Sequence, residues 1–409
     1  MLPRDLTIPE PGSRTAREVL SKALGRLPRD LLALPASLPG SAAGRADLAA
    51  VQAAVRALVA DPRGPGAAAL LSCLRSPTLS ALLRGLRNEV ARPGFDRAHA
   101  DGLLVELLGT LAFELALTGA PLAPLRLARM PRRILSLATR AEVSLPAGAA
   151  TFAPGRMVLE QGTDGVTVDL ADLAHGGAGP LAVGRPYHPI DRAIVFATAD
   201  NNPRAGWGAE PGEPGNPVDL GGRPPEEWTA SLGAALALIE EHLPELRAEI
   251  DLAIQLFLPT SYHPETHRSA SYRESIGAIY ITLHPGLMTM AEAVIHEFSH
   301  NKLHALFELD PVIENGAAKA FRSPVRPDLR PLRGVLLAVH AFLPVARLYE
   351  RMTEAGHPLA KGHYFPERFA QIRRINREGA AVVLEHAHPT AAGRALLDEM
   401  RMWIAHFGE

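Results

Sequence analysis

Two histidines lie four residues apart in the segment "AEAVIHEFSHNKLHALFELD", and a glutamate directly follows the first of them. His296, Glu297 and His300 form the pattern HExxH. On a helix, residues four apart lie on one face, so both imidazoles can bind one metal ion. The pattern is typical of zinc peptidases, in which the glutamate is the general base that deprotonates metal-bound water. The spacing therefore predicts a metal site, whose class depends on the third ligand.

The residues after the motif do not supply a third metal ligand in either of the two usual peptidase patterns. The first requires a glycine and a third histidine, but Leu303 and Leu306 stand at those positions. The second requires a glutamate near residues 319–321, where the sequence reads "KAF". Glu314 is closer, but it follows Pro311 in a segment that the sequence predicts to be irregular. A peptidase of the familiar types is therefore not the first prediction.

His340 is the best candidate for the third ligand. It is the one polar residue in the run "GVLLAVHAFLPVA". An imidazole buried there without a partner would cost roughly 1–3 kcal/mol, and a metal ion would supply the partner. The alternative is a core histidine that is hydrogen-bonded to a backbone carbonyl.

Three blocks, in this order, resemble the HExxH-type 2-oxoglutarate-dependent peptide β-hydroxylases. They are "LMTMAEAVIHEFSHNKLHAL", "SPVRPDLRPLRG" and "VLLAVHAFLPVARL", within roughly residues 250–355. The resemblance implies a non-haem Fe(II) enzyme that uses 2-oxoglutarate and O₂ to hydroxylate a β-carbon in a ribosomally made precursor peptide. It also implies that His296, His300 and His340 bind the iron, while Glu297 orients a ligand or substrate. Three imidazoles differ from the usual iron site of two histidines and one carboxylate, and they also suit zinc.

An enzyme of this kind must bind the distal carboxylate of 2-oxoglutarate, and the fork of an arginine does so best. Five arginines surround His340 in the sequence, and Arg330 and Arg333 are favoured. The alternative for each is an ion pair with a surface acid such as Asp328. The five are Arg322, Arg326, Arg330, Arg333 and Arg347.

The elements that must position these residues divide the chain into two parts. Residues 1–150 predict a mostly helical N-terminal domain, because apolar residues recur at helical spacing between proline and glycine breaks. Residues 151–409 predict the metal-binding catalytic domain, which starts with a hairpin in "RMVLEQGTDGVTVDL" and a strand in "DRAIVFATADNNP". The Pro- and Gly-rich residues 208–227 predict a surface loop or hinge.

A helix in "EWTASLGAALALIEEHLPELRAEI" and two strands, in "DLAIQLFLP" and "SIGAIYITL", precede the motif helix. The second strand is expected at the sheet edge, where an extended peptide could add as a further strand. The fold class predicted is α+β, with a zincin-like catalytic domain that contains a small mixed sheet and metal-bearing helices.

Composition limits the partners. The chain of 409 residues has 42 Lys and Arg against 44 Asp and Glu, so no overall field attracts nucleic acid or an anionic membrane. No signal-type segment or membrane-span run is evident, and the single cysteine, Cys73, excludes an internal disulfide. We therefore expect a cytoplasmic protein with a precursor peptide as partner. A zinc metallopeptidase that processes a peptide and an inactive peptide-binding protein remain alternatives.

Overall fold

The structure is a computed structural model that describes residues 5–35, 38, 41–161, 164–175, 181–206, 215–317 and 319–408. Helices dominate this part of the chain. In chain order they are α1 (Thr15–Leu24), α2 (Leu27–Leu32), α3 (Ala42–Leu58), α4 (Pro65–Arg75), α5 (Pro77–Val90), α6 (Arg97–Leu117), α7 (Pro225–His242), α8 (Pro244–Ala253), α9 (Leu287–Phe307), α10 (Leu332–Glu354), α11 (Tyr364–His386) and α12 (Ala391–His406). Two short 3₁₀ helices span Leu170–His175 and Pro358–Lys361.

The strands are short and form small sheets. In chain order they are β1 (Leu125–Leu127), β2 (Arg133–Ser136), β3 (Ala141–Ser144), β4 (Ala150–Ala153), β5 (Arg156–Gln161), β6 (Asp164–Asp169), β7 (Ala182–Gly184), β8 (Tyr187–Asp191), β9 (Ile194–Ala197), β10 (Leu256–Tyr262), β11 (Ser269–Ala270), β12 (Ala278–Leu283), β13 (Lys319–Ser323) and β14 (Arg326–Pro331). The sheets are ordered β1-β4-β5-β6, β2-β3-β7 and β11-β12-β10-β9-β8, and β13 pairs with β14. This mixture of helices and small sheets is compatible with the predicted α+β class.

The helical part of the chain is shorter than predicted. The helices α1 to α6 end at Leu117, and strands begin at Leu125, well before residue 150. The most apolar of these helices, α6, is buried along most of its length, and the carboxylate of Asp96 caps its first turn. One apolar core includes residues of α6 and of α9. The division into domains 1–150 and 151–409 stays a prediction.

The five-stranded sheet carries the motif helix. Its three central strands, β9, β10 and β12, run parallel, and β8 and β11 flank them antiparallel. The predicted strand "SIGAIYITL" is β12, but it is not at the sheet edge. The short β11 pairs with it, with Ser269 opposite Ile281, so β11 forms this edge of the sheet. The α9 helix follows β12 after a short turn and packs against it.

The helix predicted in "EWTASLGAALALIEEHLPELRAEI", between β9 and β10, is interrupted. The α7 helix ends at His242 and α8 begins at Pro244, because a proline disfavours helical geometry in the residue before it. Leu243 accordingly has φ −136° and ψ 62°. The predicted loop 208–227 lies partly outside the described residues. In its described part, 215–224 form no helix, and Asp219 makes a single bridge to Thr260.

The beginning and the end of the described chain meet beneath the motif helix. The carboxylate of Glu399 in α12 accepts the backbone N–H groups of Leu6, Thr7 and Ile8 at 3.0, 2.8 and 3.2 Å. In α9, the Nζ atom of Lys302 donates to the carbonyl of Thr7 at 3.4 Å. These contacts fix the N-terminal segment against two helices that are distant in sequence.

Among the described residues, α10 is the one single helix that is long and apolar enough to cross a membrane. Inside the protein, 72% of its apolar window is buried. The pair α4 and α5 meets the same criterion only if the two helices, bent by 78°, are counted together. Such burial is expected for the core helix of a soluble protein.

Candidate metal centre

The two motif histidines and the glutamate between them form one group of donor atoms. One ligand atom each from His296, Glu297 and His300 lie within 4.8 Å of one another. The two imidazole rings are 4.5 Å apart at their centroids and are inclined by 78°. This arrangement follows from the helical spacing, because a residue and its fourth successor lie above one another on α9. The predicted two-histidine half of a metal site is therefore geometrically possible.

Several polar atoms of this group lack a protein partner. The Nδ1 atom of His300 and the Oε2 atom of Glu297 are buried and make no hydrogen bond to the described residues. Glu297 is only 2% exposed, and its other carboxylate oxygen accepts a hydrogen bond from Ser269 Oγ at 2.7 Å. Buried polar atoms are normally paired. Unpaired atoms of metal-binding types, grouped on one helix face, fit an ion.

The electrostatics of the site also suit a metal. Burial lowers the pKa of His296 well below its usual value, and the charge of a protonated His300 would lower it further. Burial likewise lowers the pKa of His300, although the carboxylate of Glu297 opposes this. Both rings are therefore neutral at pH 7, which is the protonation state that binds metals.

His340 is buried as predicted, but it does not join this group of donor atoms. It is 0% exposed, and neither ring nitrogen makes a hydrogen bond of good geometry to the described residues, although the backbone of Leu6 interacts with the ring. The residue of α10 that touches the motif is Phe342, whose ring lies 4.7 Å from that of His296. A charge on His340 would nevertheless lower the pKa of His296, and charges on Lys302 and His300 act on His340, so its ring lies within electrostatic range of the motif helix. Coordination by His340 stays a prediction.

The two favoured arginines differ in their surroundings. Arg330 lies in the β13–β14 hairpin and pairs with Asp328 at 3.0 Å, which is the alternative that the sequence left open. Arg333 lies in the first turn of α10 with its guanidinium 5.1 Å from the Phe307 ring centre. Its Nε atom is buried and has no hydrogen-bond partner among the described residues. Of the two, Arg333 retains the greater capacity to bind an anion.

His267 is a candidate ligand that sequence reasoning missed. It precedes β11, in which Ser269 binds the Glu297 carboxylate, while Ser271 donates to the Glu297 backbone carbonyl at 3.0 Å. Side chains two residues apart in an extended segment share a face, so we expect His267 on the same side of the segment as Ser269. A charge on His267 would lower the pKa of His296, as would a charge on His340, so both rings lie within electrostatic range of His296.

The two nitrogens of His267 have different environments. Its Nε2 atom is buried without a partner among the described residues, and the backbone carbonyl of Thr282 interacts with the ring. A carbonyl that holds one ring N–H leaves the lone pair of the other nitrogen for a metal. Burial also lowers the pKa of His267 to about 4, so the ring is neutral. The only signal in the sequence was the alternation of His267, Ser269 and Ser271.

A second missed feature is an ion-pair network next to His296. Glu292 lies one turn before His296 on α9, and its carboxylate binds Arg368 of α11 through contacts of 2.5 to 3.2 Å. The hydroxyl of Tyr349 in α10 donates to the same carboxylate. This network joins α9, α10 and α11 beside the histidines. The i, i+4 spacing of Glu292 and His296 was visible in the sequence.

No protein-family model matches the chain, and no curated protein is significantly similar to it.

Proposed function

We propose that the protein is a non-haem Fe(II)/2-oxoglutarate-dependent hydroxylase. It acts on a β-carbon of a residue in a ribosomally synthesised precursor peptide, in the cytoplasm. The observation that carries the proposal is the group of donor atoms from His296, Glu297 and His300, which lie within 4.8 Å of one another on α9. Two histidines and one carboxylate, with open positions, are typical of non-haem Fe(II) oxygenases. The resemblance of the three sequence blocks supports the same reaction.

The sheet beside the site supports a peptide substrate. The edge strand β11 is antiparallel to β12, and its Ser269 touches Glu297. An extended peptide can add to such an edge through backbone hydrogen bonds, which would bring one of its side chains to the donor atoms. A mixed sheet with an antiparallel edge next to the motif helix is also the basis on which we propose a zincin-like catalytic domain.

In this proposal the protein supplies binding and orientation. Fe(II) with 2-oxoglutarate and O₂ supplies oxidation when bound, with one oxygen atom going to the peptide C–H bond and the other to succinate, as CO₂ is released. His296 and His300 hold the metal, and Arg333 is the favoured partner for the distal carboxylate of the cosubstrate. Phe342 forms an apolar wall against His296 and helps to exclude water. Glu297 is fixed by Ser269, so its free oxygen has one orientation.

Three residues are candidates for the third metal ligand. Glu297, His267 and His340 each offer a buried atom without a hydrogen-bond partner among the described residues. Glu297 lies within the group of donor atoms, His267 lies on the neighbouring edge segment, and His340 lies on α10. We therefore favour Glu297, with His267 and His340 as the further candidates.

One observation favours a second function, a zinc peptidase. The free Oε2 atom of Glu297 stands beside the two histidines, where the general base of a peptidase is found. The two functions predict different outcomes for Glu297→Gln. A peptidase loses cleavage but retains zinc, whereas an oxygenase that uses Glu297 as a ligand loses affinity for Fe(II).

The test is anaerobic addition of Fe(II) and 2-oxoglutarate to the purified protein. We expect a weak visible charge-transfer band, and slow conversion of 2-oxoglutarate to succinate when O₂ is admitted. His296→Ala and His300→Ala should each abolish both signals. The variants Glu297→Gln, His267→Ala and His340→Ala identify the third ligand by which of them loses the band.

Two results would decide against the hydroxylase. The first is a protein that binds Fe(II) at His296 and His300 but gives no band and no succinate. The second is cleavage of a quenched-fluorescence peptide library by zinc-loaded protein that is lost in Glu297→Gln, which would establish the peptidase instead.

A further inference from the structure

A second group of metal-type donors lies outside the HExxH group, where two helices end. His242 is the last residue of α7, and His357 follows the end of α10. One ligand atom each from Glu241, His242 and His357 lie within 4.8 Å of one another. The two imidazole rings meet edge to face with centroids 5.1 Å apart. Residues far apart in sequence thus converge on one point.

The backbone holds both histidines in place. After α10, the N–H of His357 bonds to the carbonyl of Met352, and that of Gly356 bonds to Thr353, each at 3.0 Å. With φ +64° at Gly356, this is the Schellman arrangement of a helix end. At the other helix end, Pro244 limits α7, so His242 stands in its final turn. A site built on two helix ends needs little ordering when an ion binds.

His242 has a buried nitrogen with no partner. Its side chain is 3% exposed, and its Nε2 atom makes no hydrogen bond to the described residues. The nearest acid, Glu241, has an oxygen 3.6 Å from this atom, which is too far for a hydrogen bond. An imidazole nitrogen that is left unpaired in this way costs free energy unless a ligand occupies it.

Charges of both signs act at this point. The α7 and α10 helices end here with partial negative charge, whereas α8 begins at Pro244 with partial positive charge. Of the basic side chains that act on His242, Arg351 pairs with Glu354 at 2.8 Å. Glu241 adds a carboxylate that is mostly exposed to solvent. The combination of two imidazoles and a carboxylate suits a divalent ion.

We propose that Glu241, His242 and His357 bind a divalent transition-metal ion of the zinc type, with water in the remaining position. Two nitrogens and one oxygen are a normal donor set for zinc, which is tetrahedral in most sites. The α7 helix packs against both α9 and α10. The ion therefore ties the end of α7 to the segment after α10, and it fixes two helices that pack on the motif helix. This role is structural and independent of the reaction at the HExxH site.

Ion binding alters one hydrogen bond. The Nδ1 atom of His357 accepts the backbone N–H of Leu359 at 3.2 Å and caps the 3₁₀ helix Pro358–Lys361. A neutral imidazole has one lone pair on its ring nitrogens. If Nε2 binds the ion, the proton moves to Nδ1 and the cap is lost; if Nδ1 binds the ion, the cap is lost directly. The Leu359 amide is thus a local reporter of the ion.

The experiment uses the full chain with the first site removed by His296→Ala and His300→Ala together. Co(II) titration of this protein should give the visible absorption of a four-coordinate site with one equivalent bound, and Zn(II) should displace it. His242→Leu or His357→Asn should weaken binding about 100-fold, because the loss of a ligand exceeds the 10–100-fold effect of losing an outer hydrogen bond. Asparagine preserves the helix cap, so His357→Asn tests the imidazole alone.

The exposed His363 provides the matched control, since His363→Asn should leave Co(II) affinity unchanged. A folded double variant that binds no Co(II) overturns the proposal, as does unchanged affinity in both His242→Leu and His357→Asn. If the double variant does not fold, the wild-type chain serves. Its zinc content should fall by one equivalent in His357→Asn, and equal content in the two proteins overturns the proposal.

Discussion

Lys302 is a fully buried ammonium group, two residues after His300 in the motif helix. Its Nζ atom lies 2.7 Å from the Oε2 atom of Glu249 in α8. The other oxygen of Glu249 has no hydrogen-bond partner among the described residues. Lys302→Met therefore leaves Glu249 as an unpaired buried charge. We predict that it lowers the free energy of unfolding by about 3–5 kcal/mol at pH 8, the range for breaking a buried ion pair on one side.

A double variant separates the cost of the unpaired charge from that of lost packing. Lys302→Met combined with Glu249→Leu removes both charges and keeps side chains of similar size. Apolar residues of matching volume replace a buried ion pair at little cost. We expect the double variant to be within about 1 kcal/mol of the wild-type protein.

The stability of the single variant should depend on pH. Burial raises the pKa of Glu249, and Lys302 lowers it, so removal of the lysine raises the pKa further. A carboxyl group whose pKa is higher in the folded protein than in the unfolded chain destabilises the fold only above the unfolded value, about 4.3. The loss in free energy of unfolding caused by Lys302→Met should therefore become smaller as the pH falls from 8 toward 5.

Urea unfolding at pH 8 and pH 5, followed by tryptophan fluorescence and circular dichroism, measures these effects. Glu249→Leu alone completes the cycle of four proteins. The reasoning is refuted if Lys302→Met is as stable as the wild-type protein at pH 8. It is also refuted if the loss in the double variant equals the two single losses added together, because the two residues would then be independent.

Three further predictions concern pH, packing and metal. Burial raises the pKa of Glu114 from 4.5 to about 7, a shift worth about 3 kcal/mol. The resulting loss of stability therefore grows as the pH rises from 4.5 and is complete above pH 7. Glu114→Gln should be the more stable protein in urea at pH 8, and this gain should vanish at pH 4.5. Gly393→Ala should destabilise the protein by about 1–3 kcal/mol, because an added Cβ would lie 1.9 Å from the Val312 carbonyl oxygen. Gly102→Ala is the control and should be neutral or stabilising, because an added Cβ there would have no atom within 4 Å. Equal shifts of the thermal midpoint for the two variants would contradict this prediction. Chelation of zinc-loaded protein should lower the thermal midpoint less in His357→Asn than in the wild type, and identical shifts would argue against an ion that stabilises the helix ends.

Elements with a strong local pattern were predictable from the sequence. The hairpin formed by β5 and β6 and the strand β9 lie where alternation and turn residues predicted them. The motif helix α9 also occupies its predicted segment. In "EEHLPELR" the proline was visible, but the continuous apolar pattern suggested one helix, and the restriction that a proline places on the residue before it was underestimated.

Elements that depend on distant partners were not predictable. The β1 strand has three residues and exists because it pairs with β4, and the two-residue β11 exists because it pairs with β12. Strands this short carry no periodic signal. Since β11 was missed, the positions of His267 and Ser269 next to α9 were missed as well.

The site was predictable to the extent that it lies on one helix. The spacing of His296 and His300 determines their approach, and burial of His340 followed from its apolar neighbours. Whether His340 reaches the donor atoms of the motif depends on how α10 crosses α9, and a single sequence does not reveal that angle. The partner of Arg330 was among the alternatives because Asp328 is so near in sequence.

Synthesis of the chain must reach α12 before its first residues find their partners. The amides of Leu6, Thr7 and Ile8 bind Glu399 across separations of 393, 392 and 391 residues. Contacts this far apart form late, because the entropy of closing the loop is lost before they stabilise anything. Lys302 binds Thr7 in the same place, so the packing of the N-terminal segment against the motif helix is among the last contacts to form.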